Sequence, residues 1–312
     1  MKTKLMMMAA IAAVGMTIVS CSSDNESLVE DVKPGKAHVR LVCGMGVSVS
    51  PMRAPMTRAA LSANGKALTD LYILDYDKAT GKLLQVLHQT STASDFAEPD
   101  MTLDYGEHVL KVVATRSQEP TLWDSQKMTW MVEPNILTPV TATQPVMLTS
   151  TKTSDTFGAE KEVSVGIGTA ATVSINLDRL VAKLVVNSTD AFPDDCTTIA
   201  LDFQEHRTLS WATMDVTEAV KNQRVVDVAS LRGTTGTVLS YFVLAPKDGY
   251  QTDITLTTNR TDGNPYSTIT LPGVTLERNK VTTISGPIYG HKQGFQMTVN
   301  DTWDNEGNDI NI

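Results

Sequence analysis

The chain has 312 residues, of which 26 are basic and 35 acidic, and only 5% of its side chains are aromatic. Net negative charge without a basic stripe excludes nucleic acid and an anionic membrane surface as charge-driven partners. Three cysteines are too few for a disulfide scaffold, and they lack the C-x-x-C spacing of a metal site.

The first twenty residues read as an export signal. Lys2 and Lys4 form a positive start, and Leu5 to Val19 is an uncharged run of 15 residues. That suits a signal h-region and falls short of the ~20 residues of a membrane-spanning helix. The run ends in Ile18-Val19-Ser20-Cys21, which resembles a bacterial lipobox. An aliphatic residue stands at −3, a small one at −1, and then the cysteine whose thiol takes the lipid. Cys21 is therefore the expected lipidation site, carrying palmitate-class acyl chains. The alternative is an ordinary signal peptide followed by an incidental cysteine. Without residues 1–20 the chain keeps 24 basic and 35 acidic side chains over 292 residues, enough for about two domains of ~100–200 residues. Residues 21–35, with Ser22, Ser23, Asp24, Asn25 and Glu26, read as a flexible tether.

Period-two alternation dominates the rest. Val39, Leu41, Cys43, Met45, Val47 and Val49 predict a long strand with one buried face. Pro51 to Arg58, with two prolines, Arg53 and Arg58, breaks it. Leu71–Leu74 and Leu83–Leu87 flank Asp75 to Gly81, a hairpin with a glycine-containing turn. The Asp75/Asp77 pair does not continue as a calcium loop. Leu103, Tyr105 and then Val109–Ala114 add strands around Gly106. Pro120 to Pro134 is the best short-helix candidate. Thr149 to Glu162 reads as a linker or long loop, and Gly166-Ile167-Gly168 as a bulge or turn. Val173, Ile175 and Leu177 alternate, and the phase then slips to Leu180, Ala182, Leu184 and Val186, as a β-bulge requires. Further strands are expected at Ile199–Phe203, Val238–Leu244, Ile254–Leu256, Ile269–Leu271, Val281–Ile284 and Phe295–Val299. Short strands between turns indicate an all-β chain of sandwiches rather than βαβ units. The expected division is 36–160 for an N-terminal and 161–312 for a C-terminal β-sandwich domain.

Catalytic patterns are missing from the sequence. The five histidines form no HExxH or HxH, and there is no GxSxG elbow or phosphate loop. Cys196 and His206 read as a buried thiol and a surface imidazole, not a nucleophile and base. Cys43 and Cys196 read as two buried free thiols, with one bridge as the alternative. Trp123, Trp130, Trp211 and Trp303 read as core anchors rather than a sugar platform. No metal, cofactor or catalytic residue is expected.

The order of segments is similar to that of the fimbrillin superfamily, the subunits of type V pili, and above all to its fimbrillin-A-associated anchor group. The resemblance rests on the lipobox, on Leu68-Thr69-Asp70-Leu71-Tyr72-Ile73-Leu74-Asp75-Tyr76 and on Asp104-Tyr105-Gly106-Glu107-His108. It rests also on Leu177-Asp178-Arg179-Leu180-Val181-Ala182-Lys183-Leu184, and on Ser285-Gly286 ahead of a terminal strand ending at Trp303. It covers nearly the whole chain. The resemblance implies two transthyretin-like β-sandwich domains, a lipid anchor on the surface of the cell outer membrane, and a stalk, tip or anchor role in a fimbrium. It implies other pilus subunits and a host or bacterial surface ligand as partners. Assembly would proceed by strand exchange, after an arginine-specific protease removes a subunit's N-terminal strand. Val39–Val49 is the candidate exchanged strand, and Arg58, secondarily Arg53, the candidate cleavage site. The opposing reading keeps that strand permanently in the first sandwich. One departure stands out: beyond Trp303 only Ile310 and Ile312 are large and apolar, so no long donor strand follows. A surface lipoprotein with a carbohydrate-binding sandwich is the alternative function, and a hydrolase the third.

Overall fold

A computed structural model describes residues 35–45, 62–63, 66–115, 123–124, 129–130, 147–149, 155–168, 171–206, 208–216, 219–290 and 294–300. They belong to one compact unit, Pro34–Ile312. The strands in chain order are β1 (Lys36–Met45), β2 (Ser62–Ala63), β3 (Lys66–Ala67), β4 (Asp70–Asp77), β5 (Leu83–Thr90), β6 (Asp100–Asp104) and β7 (Gly106–Thr115). Then come β8 (Trp123–Asp124), β9 (Thr129–Trp130), β10 (Met147–Thr149), β11 (Thr156–Val165), β12 (Ala171–Arg179), β13 (Val181–Ser188) and β14 (Cys196–Glu205). The last are β15 (Thr208–Ser210), β16 (Asp215–Val216), β17 (Val220–Asp227), β18 (Gly236–Leu244), β19 (Tyr250–Arg260), β20 (Pro265–Leu276), β21 (Val281–Gly286) and β22 (Gln296–Asn300). Among the described residues the one helical element is a 3-10 turn at Ala229–Leu231. The chain is an all-β sandwich protein, as its alternation predicts.

The first sheet runs β5-β4-β7-β11-β12-β1-β6. Its two halves join where β11 meets β12 over only two residue pairs, Phe157↔Arg179 and Gly158↔Asp178. The sheet thus folds over one core, which takes Leu71 and Ile73 from β4, Leu110 and Val112 from β7, and Ile175 and Leu177 from β12. Beside it lies a second sandwich, β18-β13-β21-β22 on β17-β14-β19-β20. Its core holds Leu184, Val186, Ile199, Leu201, Val243, Leu256 and Ile284.

A third cluster joins the two. Tyr72, Leu74 and Val113, on the outer face of the first sheet, pack against Leu180, Leu209, Trp211, Met214 and Phe242. Burial on both faces explains why β4 reads as a continuous apolar run rather than an alternation. Trp211 is the core anchor that its context predicts, 1% exposed.

Several expectations change. The phase slip at Asp178–Leu180 is a crossing between sheets rather than a bulge: β12 ends in the first sheet and β13 begins in the second sandwich. Thr149–Glu162 is not a linker throughout. β11 starts at Thr156 and pairs with β7 from Thr156↔Thr115 to Val165↔Gly106. It reads as polar because Glu160, Lys161 and Glu162 face outward, while Phe157, Val163 and Val165 fill the core. Gly158 supplies closeness: a Cβ there would lie 2.8 Å from Leu180 and 3.0 Å from Met214 side chains. Residues 160 and 161, the expected domain boundary, lie within this strand. Within the expected helix 120–134, the described residues form β8 and β9, which pair antiparallel, as their aromatic and β-branched residues favour. Gly166–Gly168 is the expected turn, with Gly168 at φ +80. The β4–β5 hairpin closes on an Asx turn, in which Asp77 Oδ1 accepts from Thr80 N–H and O–H at 2.7 and 2.6 Å.

Candidate functional site: the first strand and its groove

β1 alternates because both its faces have assigned neighbours. Val39, Leu41 and Cys43 are fully buried, while Lys36, His38 and Arg40 face outward. The strand is hydrogen-bonded on both sides. It runs parallel to β12 from Val39↔Ala171 to Met45↔Leu177, and antiparallel to β6 from Lys36↔Asp104 to Arg40↔Asp100. Where β6 has ended, the pairing continues: Leu41 N–H donates to Pro99 O at 3.0 Å and Cys43 N–H to Ala97 O at 2.8 Å. Removing β1 would therefore leave a slot with backbone groups on both walls and the first core as its floor.

The strand's start is fixed sterically. A Cβ on Gly35 would collide with the ring of Tyr105, and Tyr105 N–H donates to Gly35 O at 2.9 Å. The outer face carries exposed ion pairs, Arg40 with Glu98 and Lys36 with Asp104. The bond to Glu98 holds the Arg40 pKa above its ordinary value, but such solvated pairs contribute little. Burial pushes the Cys43 thiol up to about 12, so it is an apolar plug rather than a nucleophile.

Of the candidate exchanged-strand residues, Val39, Leu41 and Cys43 thus line one buried face. Met45 ends β1, and its side chain is outside the described residues, as are Val47 and Val49. Cys21, Arg53 and Arg58 also lie outside the described residues. Cys43 and Cys196 are both buried and free, the favoured of the two readings. Cys196 and His206 belong to β14 and its extension, ten residues apart along an extended strand, which at ~3.3 Å per residue keeps them far beyond contact.

Sequence reasoning missed the buried charges. Asp75, assigned to a turn, is 2% exposed in β4, and its Oδ1 lies 2.8 Å from His108 Nδ1. The other ring nitrogen of His108 lies 2.8 Å from Asp104 O. Burial pushes the Asp75 carboxyl up, against the pull of His108. Arg179 grips Asp155 with Nε at 2.7 Å and Nη2 at 3.1 Å, and a third nitrogen donates to Asn279 at 2.9 Å. This places the Leu177–Leu184 segment at the seam between the first sheet and the second sandwich. In the second sandwich, buried Glu205 accepts from Asn222, Arg224 and Tyr241. All three sites pair opposite groups within the fold and aim nothing at a cleft. An open cleft of about 580 Å³ lies on the second sandwich, lined by Asp202, Gln204, Lys221, Gln251, Asp253 and Thr255.

No protein-family model and no curated protein sequence matches the chain. Solved structures do. The fimbrial anchor protein Mfa2 from Porphyromonas gingivalis is similar at TM-score 0.54 and 11% identity, over 85% of this chain and 97% of that one. A candidate polysaccharide-binding protein from Bacteroides thetaiotaomicron is similar at 0.53 and 11%, over 86% and 99%. A candidate adhesin from Bacteroides ovatus is similar at 0.50 and 14%, over 88% and 96%. At these identities the likeness is one of fold, and it extends over nearly the whole of each chain.

Proposed function

We propose that this chain is a structural, non-catalytic subunit of a type V pilus, delivered to the outer membrane by a lipid on Cys21, released from that lipid by cleavage, and then joined to neighbouring subunits by strand exchange. The observation that supports it most is the likeness in fold to a fimbrial anchor protein over 85% of this chain and 97% of that one. β1 supplies a physical basis for exchange. Each of its buried side chains contributes ~1.5–3 kcal/mol by burial, so losing three is comparable to a domain's whole net stability of ~5–15 kcal/mol. A sandwich emptied of β1 needs a replacement strand, and a neighbour's alternating strand offers the same backbone bonds and side-chain plugs. Cleavage after Arg58, or secondarily Arg53, would free everything upstream, β1 included. The test combines Arg53→Ala and Arg58→Ala and compares surface protein size and SDS-resistant polymers with the parent. Loss of polymers is expected. Normal assembly of the double variant, or a parent that keeps its lipidated N-terminus in the polymer, overturns removal of β1 and leaves an uncleaved anchor.

A second reading is carbohydrate binding, favoured by the polar cleft beside Asp202 and Gln251. Isothermal titration with oligosaccharides distinguishes it: binding heat that is lost in Gln251→Ala supports it.

A further inference from the structure

His108 ties three strands of the first sheet together at one corner. It sits in β7, 2% exposed, between Asp75 of β4 and the end of β6. Nδ1 lies 2.8 Å from Asp75 Oδ1, and Nε2 lies 2.8 Å from Asp104 O. A carbonyl oxygen can only accept, so Nε2 carries a hydrogen. A second hydrogen lies between Nδ1 and Asp75, because two bare lone pairs do not meet at that distance in a buried site. A neutral imidazole has only one N–H. The pair therefore holds one proton more than a neutral histidine beside a carboxylate, and with it the pair carries no net charge. The corner also bears on β1. Asp104 is the register partner of Lys36, where β1 begins, and Lys36 Nζ lies 3.3 Å from its carboxylate. β6 is the edge of its sheet and pairs only with β1 among the described residues. The bond from His108 thus fixes the end of the antiparallel wall of the β1 slot.

We propose that the Asp75–His108 pair is a proton-operated clamp on that wall: with its second proton it holds the end of β6, and on losing that proton to solvent it lets β6 and β1 loosen. One N–H then remains for two acceptors. The carboxylate is the stronger of them, so the bond given up is the one to Asp104 O, and a negative charge is left buried. The surroundings oppose that charge. Burial raises the Asp75 carboxyl, and Asp104 of β6 and Asp77 of β4 add to it, against the pull of His108. Glu107, next to His108 in β7, is exposed and of the same sign. On β11 the uncharged Val163 stands opposite His108, and the neighbouring Glu162 is paired with Lys78. Lys36 of β1 faces Asp104 from outside. A carboxyl held above its ordinary value stabilises the fold at low pH, and that contribution is lost as pH rises. In the unfolded chain an imidazole releases its proton at about 6.5, so the loss develops above that pH. The clamp acts on β1 whether or not the chain builds a pilus.

The test is amide hydrogen exchange of β1 and β6 in the full chain carrying Cys21→Ala, corrected for the intrinsic pH dependence of exchange. From about pH 6 to about pH 9 protection should fall about tenfold, and by no more than tenfold per pH unit, because one proton is linked. Asp75→Asn should abolish the fall. Its side-chain amide donates to Nδ1, and a neutral imidazole then satisfies Asp104 O at every pH. The same variant separates the pair from the exposed His38 of β1. His108→Gln should leave both strands poorly protected at every pH. Parent protection that stays constant over this range overturns the proposal. So does a variant at either position that keeps the parent's fall. If a variant fails to fold, the parent profile still decides.

Discussion

β1 and β22 begin alike and end differently. Each is a short alternating strand near one end of the described chain, and each starts where an aromatic ring lies over a glycine. Tyr105 covers Gly35 ahead of β1, and Phe295, just ahead of β22, covers Gly286. The apolar side chains of β1 are nevertheless fully buried, while those of β22 are almost half exposed. The difference lies in their neighbours. β1 has a strand on each side and a folded-over layer above it; among the described residues β22 has one neighbour, β21, and its apolar side chains stay exposed. Alternation thus states which side chains share a face, and the opposing layer decides whether that face is dry.

The contrast can be broken most strongly at Leu41. Leu41→Ala should cost ~2–5 kcal/mol, the range for truncating a buried leucine, read as a drop in urea midpoint at constant slope. The two glycines come next. Gly35→Ala and Gly286→Ala should each cost ~1–3 kcal/mol, because the added methyl meets an aromatic ring in a packed site. Equal costs in thermal unfolding would show that both strands are braced alike. Cys43 gives a pH-dependent version. Burial holds its thiol protonated to about 12 in the folded chain, against 9.0 for an ordinary thiol. Its contribution is therefore complete below pH 9 and fades by about 1.4 kcal/mol per unit as pH rises from 9 toward 12. Cys43→Ala should flatten the stability profile in that window and shift it uniformly below. The smallest effect belongs to β22. Met297→Ala, on a side chain 46% exposed, should cost no more than about 1 kcal/mol, read by denaturant unfolding.

Much of this fold was legible. Val39, Leu41 and Cys43 face inward as their spacing requires, and Asp77 with Gly81 closes the hairpin expected of them. What escaped depended on distant partners. β11 looked like a linker because the three charged residues at its middle mask the two-sided pattern, and because Gly158 reads as a breaker until Leu180 and Met214 are seen against it. The slip at Asp178–Leu180 looked like a bulge because a strand that changes sheets also changes phase. Asp75 looked like a turn residue because nothing local reveals His108, 33 positions away. For the candidate site, the buried face of β1 was readable, but its two backbone walls, one parallel and one antiparallel, were not.

The parallel pairing of β1 with β12 also governs time. Val39 meets Ala171, and Met45 meets Leu177, so the strand nearest the start of the described chain closes against one more than a hundred residues later. Contacts at such separation form slowly, since a long loop must close before they reward it. A chain emerging in N-to-C order offers β1 only one wall, from β6, until residues 171–177 have followed. During that interval the uncovered edge is open to any other extended segment. The same delay that slows the fold sets a window in which β1 can be left out of it.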